Sequence, residues 1–265
     1  MQYHTVLKKM RTELNDDVHY YLEVENDFLN LNQLLGRHIE IHFEGYQCLN
    51  CGMEKKIFRQ GFCYECFYES AQVGDWIMKP ELSTAHLGIG DRNLEYEEKV
   101  QLQPHIVYLA LSSNVKVGVT RKTQVPTRWI DQGASKAIEI LEVPNRYLAG
   151  ITEVALKDHV ADKTSWQKML KNEIADLDLI EEREKLKKYI PKEAQPYFLA
   201  NNGKIISIEY PVIKYPIKIK TLNLENTQVF SGKLMGIKGQ YLLFEDGTVF
   251  NIRNSEGYKV QLTIK

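Results

Sequence analysis

The sequence has little cysteine and no excess of either charge, and both shortages exclude something. Its four cysteines all fall between positions 48 and 66, and none stands elsewhere among the 265 residues. A secreted disulfide scaffold spreads its cysteines to close long loops, so this clustering argues against one. Lys and Arg number 34 against 35 Asp and Glu, for a formal net charge of -1. A protein that coats nucleic acid by bulk charge is thereby excluded, and any such site must be a local patch. No run approaches the roughly 20 consecutive apolar residues of a membrane span, and the opening MQYHTVLKKMRTELNDD lacks the apolar core of a signal peptide. These absences predict a cytoplasmic protein with no membrane partner. What is present, 43% hydrophobic residues, is enough to bury cores in two or three modules.

The cysteines read Cys48-x2-Cys51, then eleven residues, then Cys63-x2-Cys66. Each Cys-x2-Cys turn aims two thiolates at one point, and Zn²⁺ takes four such ligands tetrahedrally at Zn–S distances near ~2.3 Å. Gly52 follows the first pair and Gly61 precedes the second, where tight turns need backbone freedom. A redox pair in the thioredoxin manner needs one such motif at a helix start within a βαβ pattern, which this region lacks. Four thiolates leave no open coordination position, so the predicted zinc is structural and not catalytic.

Along the chain, residues 5–11 and 18–24, joined by Asn15-Asp16-Asp17, predict a hairpin, and residues 29–35 one or two helical turns. The alternation in His38-Ile39-Glu40-Ile41-His42-Phe43 predicts a strand with its isoleucines inward and His38 and His42 on a solvated face. Residues 71–104 carry turn signals without periodicity and read as a connecting loop. Residues 105–111 and 115–120, joined by Ser112-Ser113-Asn114, predict a β-hairpin. Pro126 opens a short helix over 127–132 that Gly133 ends. A third strand follows over 137–143, then a helix capped by Asn145. Met169, Leu170, Ile174, Leu177, Ile180, Leu186 and Ile190 predict one long amphipathic helix from Trp166 to Tyr189, ending before Pro191. Beyond Pro196 short strands alternate with glycine-bearing turns, a pattern of small barrels or bent sheets.

The order of hairpin, helix, strand and helix resembles the GIY-YIG endonuclease fold. Ile106-Val107-Tyr108 corresponds to the first motif of that fold and Lys116-Val117-Gly118 to the second, with Arg128 at its arginine and Glu153 at its metal-binding glutamate. The resemblance implies a site of Tyr108, Lys116, Arg121, Arg128 and Glu153, with Mg²⁺ or Mn²⁺ held at Glu153. A carboxylate can hold a divalent metal against a scissile phosphate, an arginine can neutralise its charge, and a phenol can relay a proton. Glu153 shares a helix stripe with Ala149, Leu156 and Val160, so it interrupts an apolar face. Two departures count against cleavage: Lys116 replaces the second tyrosine, and Ser165 stands where these nucleases commonly carry asparagine.

A closer resemblance spans nearly the whole chain. Gln60-Gly61-Phe62-Cys63-Tyr64, Lys79-Pro80-Glu81, Val107-Tyr108-Leu109-Ala110, Thr127-Arg128-Trp129-Ile130-Asp131-Gln132-Gly133-Ala134, Asp162-Lys163-Thr164-x-Trp166 and Gly236-Ile237-Lys238-Gly239-Gln240-Tyr241 are similar to the domain-of-unknown-function family numbered 2797. That resemblance implies a prokaryotic cytosolic protein and brings no activity.

The expected fold class is α+β: a small N-terminal β region (1–47), a four-cysteine zinc knuckle (48–70), a connecting loop (71–104), a central GIY-YIG-like α/β unit with the long helix (105–195), and a C-terminal small β-barrel or bent sheet (196–265). Three functions compete. The first is a zinc-containing protein that binds DNA or RNA on a GIY-YIG-like core with weak or no cleavage. The second is an active metal-dependent nuclease. The third is an interaction or assembly module. Residues 201–265 hold nine Lys or Arg against five Asp or Glu, and with Lys55, Lys56 and Arg59 these make a candidate phosphate-contacting surface.

Overall fold

The computed structural model describes residues 1–25, 27–160, 164–200 and 204–265. Asp162 and Lys163 of the family-like string lie outside them. The fold is a mixture of helices and several sheets. In chain order the strands are β1 (Gln2–Val6), β2 (Arg11–Leu14), β3 (Val18–Val24), β4 (Asp27–Asn30), β5 (His38–Tyr46), β6 (His105–Leu111) and β7 (Val115–Arg121). They continue with β8 (Lys136–Val143), β9 (Ile206–Ser207), β10 (Lys220–Thr221), β11 (Val229–Lys238), β12 (Tyr241–Phe244), β13 (Thr248–Asn251) and β14 (Tyr258–Ile264). The α-helices are α1 (Tyr64–Glu69), α2 (Asp75–Met78), α3 (Leu94–Gln101), α4 (Thr127–Asp131), α5 (Arg146–Lys157), α6 (Trp166–Leu170) and α7 (Leu179–Leu186).

The chain forms two compact units, the first taking in residues 1–69, 130–133 and 208–265 and the second residues 70–129 and 134–207. In the first unit a sheet runs in the order β1-β14-β5-β11-β12-β13-β10, and β2-β3-β4 form a second sheet. This differs from the expected division, because β1 and β5 pair with the C-terminal strands β14 and β11. The expected N-terminal and C-terminal β regions therefore share one sheet, and the separate C-terminal barrel is not what the strands build. The reason is the alternation in β5: Ile39 and Ile41 are buried while His38 and His42 stay exposed, and only partner strands on both edges satisfy its backbone. Bulges in β11 between Leu234 and Gly236 and in β5 between Phe43 and Gly45, opposite Lys259 and Val260 of β14, bend those strands. Leu22, Leu34, Ile39, Ile41, Phe250 and Leu262 close the interior.

The N-terminal hairpin is also shifted from its expected place. Residues 11–14, and not 5–11, pair with β3, while Leu7 and Met10, both wholly buried, anchor an irregular stretch between β1 and β2. Residues 29–35 divide between β4 and a 3-10 turn, Leu31–Leu34, capped by the Asn30 side chain. One amide ties the stretch between β1 and β2 to the β11–β12 turn and Asp131, beside the bonds of Leu7 and Lys9 to residues 256–258. Gln240 accepts from the Met10 N–H at 2.8 Å and donates to the Met10 carbonyl at 3.2 Å and to Asp131 Oδ1 at 2.9 Å. Asp131 also takes Lys9 at 2.7 Å.

In the second unit the sheet order is β7-β6-β8-β9, with β6 antiparallel to both neighbours. Val107, Leu109, Val115 and Val117 pack in one core with Ala149 and Leu156 of α5 and Leu179 and Leu186 of α7. Strand β8 sends Ile138 and Ile140 and then Leu141 and Val143 into that core. An extra residue opposite the Val107/Tyr108 step absorbs the change of parity.

Two sequence expectations fail here. Residues 71–104 are not a loop, since α2, three 3-10 turns and α3 occupy them. Polar caps supply what periodicity did not: Asn93 accepts from Tyr96, and the buried Glu97 carboxylate takes the N–H groups of Asp91, Arg92 and Asn93 at 2.8–3.0 Å. Burial alone raises the Glu97 pKa, but those N–H groups outweigh it and hold the carboxyl below its ordinary value. The long helix 166–189 is also broken, into α6, a non-helical stretch and α7. Asn172 takes a positive φ of 60° beyond the end of α6, and Asp178 starts α7 afresh by accepting from the Ile180 and Glu181 N–H groups.

Because Gln240 satisfies two Met10 backbone groups and Asp131 at once, Gln240→Ala leaves all three without it. It is expected to lower the unfolding free energy by roughly 2–4 kcal/mol, read from urea titration; a loss below about 1 kcal/mol would count against this role.

Candidate functional site

Strand β5 leads directly into the cysteines. The first turn closes through Cys48 N–H to the Met53 carbonyl and Gly52 N–H to the Cys48 carbonyl, both at 2.9 Å. The second turn is a tight hairpin in which Phe62 N–H donates to the Arg59 carbonyl at 2.9 Å, with Gln60 and Gly61 at φ of 53° and 78°. A Cβ on Gly61 would stand 2.5 Å from Leu49 Cδ1, so both the backbone angle and the space demand glycine. Cys63 follows this turn and Cys66 lies on α1.

The four sulfurs lie within 4.8 Å of one another. A tetrahedron built on Zn–S distances of ~2.3 Å separates its sulfurs by about 3.8 Å, so the cluster fits a metal ion and its donors suit zinc. It is the one group of three or more His, Cys, Asp or Glu donors found among the described residues. Burial pushes the Cys48 thiol up, but the N–H groups of Cys51, Cys63 and Asn50 outweigh it and bring the pKa down to about 6. At Cys66 the Asn50 side chain favours the thiolate, but burial and the three neighbouring cysteines push the pKa up to about 12. Sulfurs this close cannot all ionise alone, and a divalent cation held by them would supply the missing charge.

A second group of interest is charged and lies in the second unit. Asn145 caps α5 by accepting from Leu148 at 2.9 Å, as its sequence predicts. Arg146, in the first turn, donates through Nε to the Trp76 carbonyl at 3.0 Å and through Nη2 to that of Ile77 at 2.8 Å, with its guanidinium over the Trp76 ring. Burial brings the Arg146 pKa down to about 10; Glu153 and Glu81 support its charge while Arg128 and Arg121 oppose it. Glu153 is raised by burial and by Glu81, against the pull of Lys157, Arg146 and Arg128. Three arginines and two glutamates thus interact electrostatically in one place.

The five residues expected in one cleft are divided. Arg121, Arg128 and Glu153 belong to this group. On β7, however, the alternation that turns Val115 and Val117 toward α5 turns Lys116 and Gly118 to the other face of the sheet. Tyr108 pairs with Gly118 and is wholly buried there; its hydroxyl oxygen is 2.6 Å from where a Gly118 Cβ would stand, and its ring meets Trp129 edge-on at 5.8 Å. The physical reason is the period of two, which the motif correspondence did not carry through to α5. Ser165 accepts from Lys168 N–H as the cap of α6. Sequence reasoning missed Arg146, although a basic residue in a helix's first turn opposes the macrodipole and is itself a signal. It also left out Glu81 and His105.

His105 is wholly buried, with Nδ1 2.7 Å from the Gln103 carbonyl and Nε2 without a partner. Burial, helped by Arg146 and Arg121 and resisted by the Gln103 carbonyl, depresses its pKa from 6.5 to about 4.

A family model described as "Protein of unknown function (DUF2797)" matches residues 36–260. No curated protein and no solved structure was found to match the chain. No helix among the described residues is long and apolar enough to cross a membrane.

Two outcomes follow from this geometry. Protein purified without added metal should carry about one zinc per chain by elemental analysis, and its exposed Cys51 thiol should resist titration in the native state. Metal-free protein with a freely reactive Cys51 would end the metal assignment. For His105, the folded pKa lies below the unfolded one, so its full contribution is present above pH 6.5 and is lost as pH falls toward 4. The loss between pH 7 and pH 5 is about 2 kcal/mol, and His105→Leu should flatten the pH dependence of the urea midpoint by that amount.

Proposed function

Since the chain belongs to the DUF2797 family, whose description assigns no activity, we propose from geometry that it is a zinc-containing nucleic-acid-binding protein. In this reading the second unit is a GIY-YIG-like core with weak or no cleavage, and the zinc is structural. The observation that carries it is the gathering of Arg128 and Arg146 around one half-buried carboxylate, Glu153, with Arg121 beside Arg146. Guanidiniums in a fixed fork suit phosphate oxygens. The β7-β6-β8 order with α5 packed on it supports the likeness to the GIY-YIG core.

The same geometry argues against efficient cleavage. Glu153 is the candidate ligand for Mg²⁺ or Mn²⁺, but Tyr108 and Lys116 lie on the sheet's other face. A phenol there cannot reach a water held at Glu153, and an ammonium at the second tyrosine's place stabilises phosphate charge without accepting a proton. Ser165 is engaged as a helix cap and supplies no asparagine-like ligand.

On this reading labelled duplex DNA binds with an affinity that falls as salt rises. Two to three phosphates neutralised give a log–log slope between about -1.8 and -2.7, and Arg128→Ala reduces it by about 0.9. Incubation with Mg²⁺ or Mn²⁺ leaves the strands intact or cuts them slowly. Rapid cleavage that vanishes in Glu153→Ala would establish a nuclease instead, and no salt-sensitive binding to single-stranded or duplex DNA or RNA would favour an interaction module.

A further inference from the structure

We propose that the cysteine module carries a stacking platform for an unpaired nucleic-acid strand, formed by Phe58, Tyr64 and Tyr68 and flanked by Lys56 and Arg59. The inference rests on the nucleic-acid reading above and concerns a different site. A small metal module has few apolar residues and ordinarily turns its aromatics inward. Here Tyr64 is 62% exposed, Tyr68 53% and Phe58 40%. The exposure of Tyr64 and Tyr68 follows from the helix: Cys63, just before α1, and Cys66 on it turn one side of α1 toward the cysteine cluster, and Tyr64 and Tyr68, one turn apart, fall on the side facing away.

The rings form a connected group. Tyr64 and Tyr68 lie 4.8 Å apart between centroids, Phe58 lies 5.2 Å from Tyr64 and 5.9 Å from Tyr68, and Phe67 backs Phe58 at 5.3 Å. Such a group offers π-faces held rigid at small entropic cost, which is what unpaired bases stack upon without regard to sequence.

Charge decides between a base and a plain apolar partner. Glu65 is engaged by Lys55 and Glu54 by Lys259, so two nearby carboxylates are already neutralised. Lys56 and Arg59 have no carboxylate partner among the described residues, and Arg59 holds its guanidinium 5.3 Å from the centre of the Phe58 ring. Glu69 ends α1 beyond Tyr68, so an anionic backbone is favoured on the Lys56 and Arg59 side. A strand of nucleotides presents the matching pattern of flat bases and regularly spaced phosphates. Stacking and charge do not read the sugar, so DNA and RNA should bind alike.

The test uses the full chain and fluorescein-labelled oligo-dT and oligo-rU of about a dozen nucleotides, beside a blunt DNA duplex, read by fluorescence anisotropy. Wild type should bind both single strands within about threefold of each other. Tyr64→Ala combined with Tyr68→Ala should weaken single-strand binding by about tenfold to a hundredfold, with duplex binding and metal content unchanged. Tyr64→Phe with Tyr68→Phe should retain it, and Lys56→Glu should weaken it with a shallower salt slope. If wild type binds duplex and single strands but the alanine pair keeps its single-strand affinity, the platform is refuted while the nucleic-acid reading stands. If wild type binds neither, both fall. A wild-type dimer in light scattering that the alanine pair converts to monomer would assign these rings to contact between copies and overturn the proposal.

Discussion

Strand β5 is the constraint on which the first unit depends. It is hydrogen-bonded along one edge to β14 and along the other to β11, segments roughly two hundred residues away in sequence. Neither partner can be supplied locally, so the chain closes a very long loop before β5 gains its ladder. Once it is closed, Ile39 and Ile41 lie in the interior, and β14 is free on its other edge to take β1. The direction of β5 then delivers Cys48 just past the strand end. The metal site is thus attached to the sheet through its first cysteine, while its second pair comes from the short turn and helix that follow.

The cysteine module shows how little local apolar surface a metal site needs. The Arg59–Phe62 turn and the six-residue helix α1 are each too short to be stable alone. Convergent thiolates replace the missing core, and binding free energy at such a site is folding free energy. A metal held there would fix the backbone and release the side chains facing outward on α1 from packing duty. That release is why Tyr64 and Tyr68 can stay exposed, where a helix of similar length in an ordinary core would have to bury them.

Features encoded within a few residues were legible in the sequence. The two Cys-x2-Cys turns, the 105–121 hairpin, the Asn145 cap and the alternation of β5 all depend on local chemistry. Features decided elsewhere in the chain were not. The long helix over 166–189 failed because apolar spacing persisted across Asn172, whose positive φ leaves no trace in a periodicity. The helix α3 was hidden because a buried carboxylate, Glu97, and not an apolar stripe, organises its start. The joining of N- and C-terminal strands was invisible because each strand's edges accept any partner of suitable alternation. Of the charged group around Arg146, the residue types of Arg121, Arg128 and Glu153 drew notice in the sequence, whereas the place of Arg146 depends on carbonyls of α2 some seventy residues earlier.

The separation of Tyr108 from Glu153 bears most on mechanism. A strand offers two faces, and residues an even number apart share one. Lys116 and Gly118 obey that rule on β7, and Tyr108 shares their face because it lies directly opposite Gly118, which is why the hairpin motif reads as intact. Helix α5 packs on the opposite face because Val107, Leu109 and Val117 are the apolar set that buries it. Bringing Glu153 to the tyrosine's side would require α5 to exchange that apolar face for the one on which Tyr108 is already buried against Trp129. Hydrophobic burial on this scale outweighs what one carboxylate gains from a phenol. The packing therefore keeps the Tyr108 hydroxyl inside the sheet, on the face away from α5, while Arg128 and Arg146 act on Glu153 from the other side.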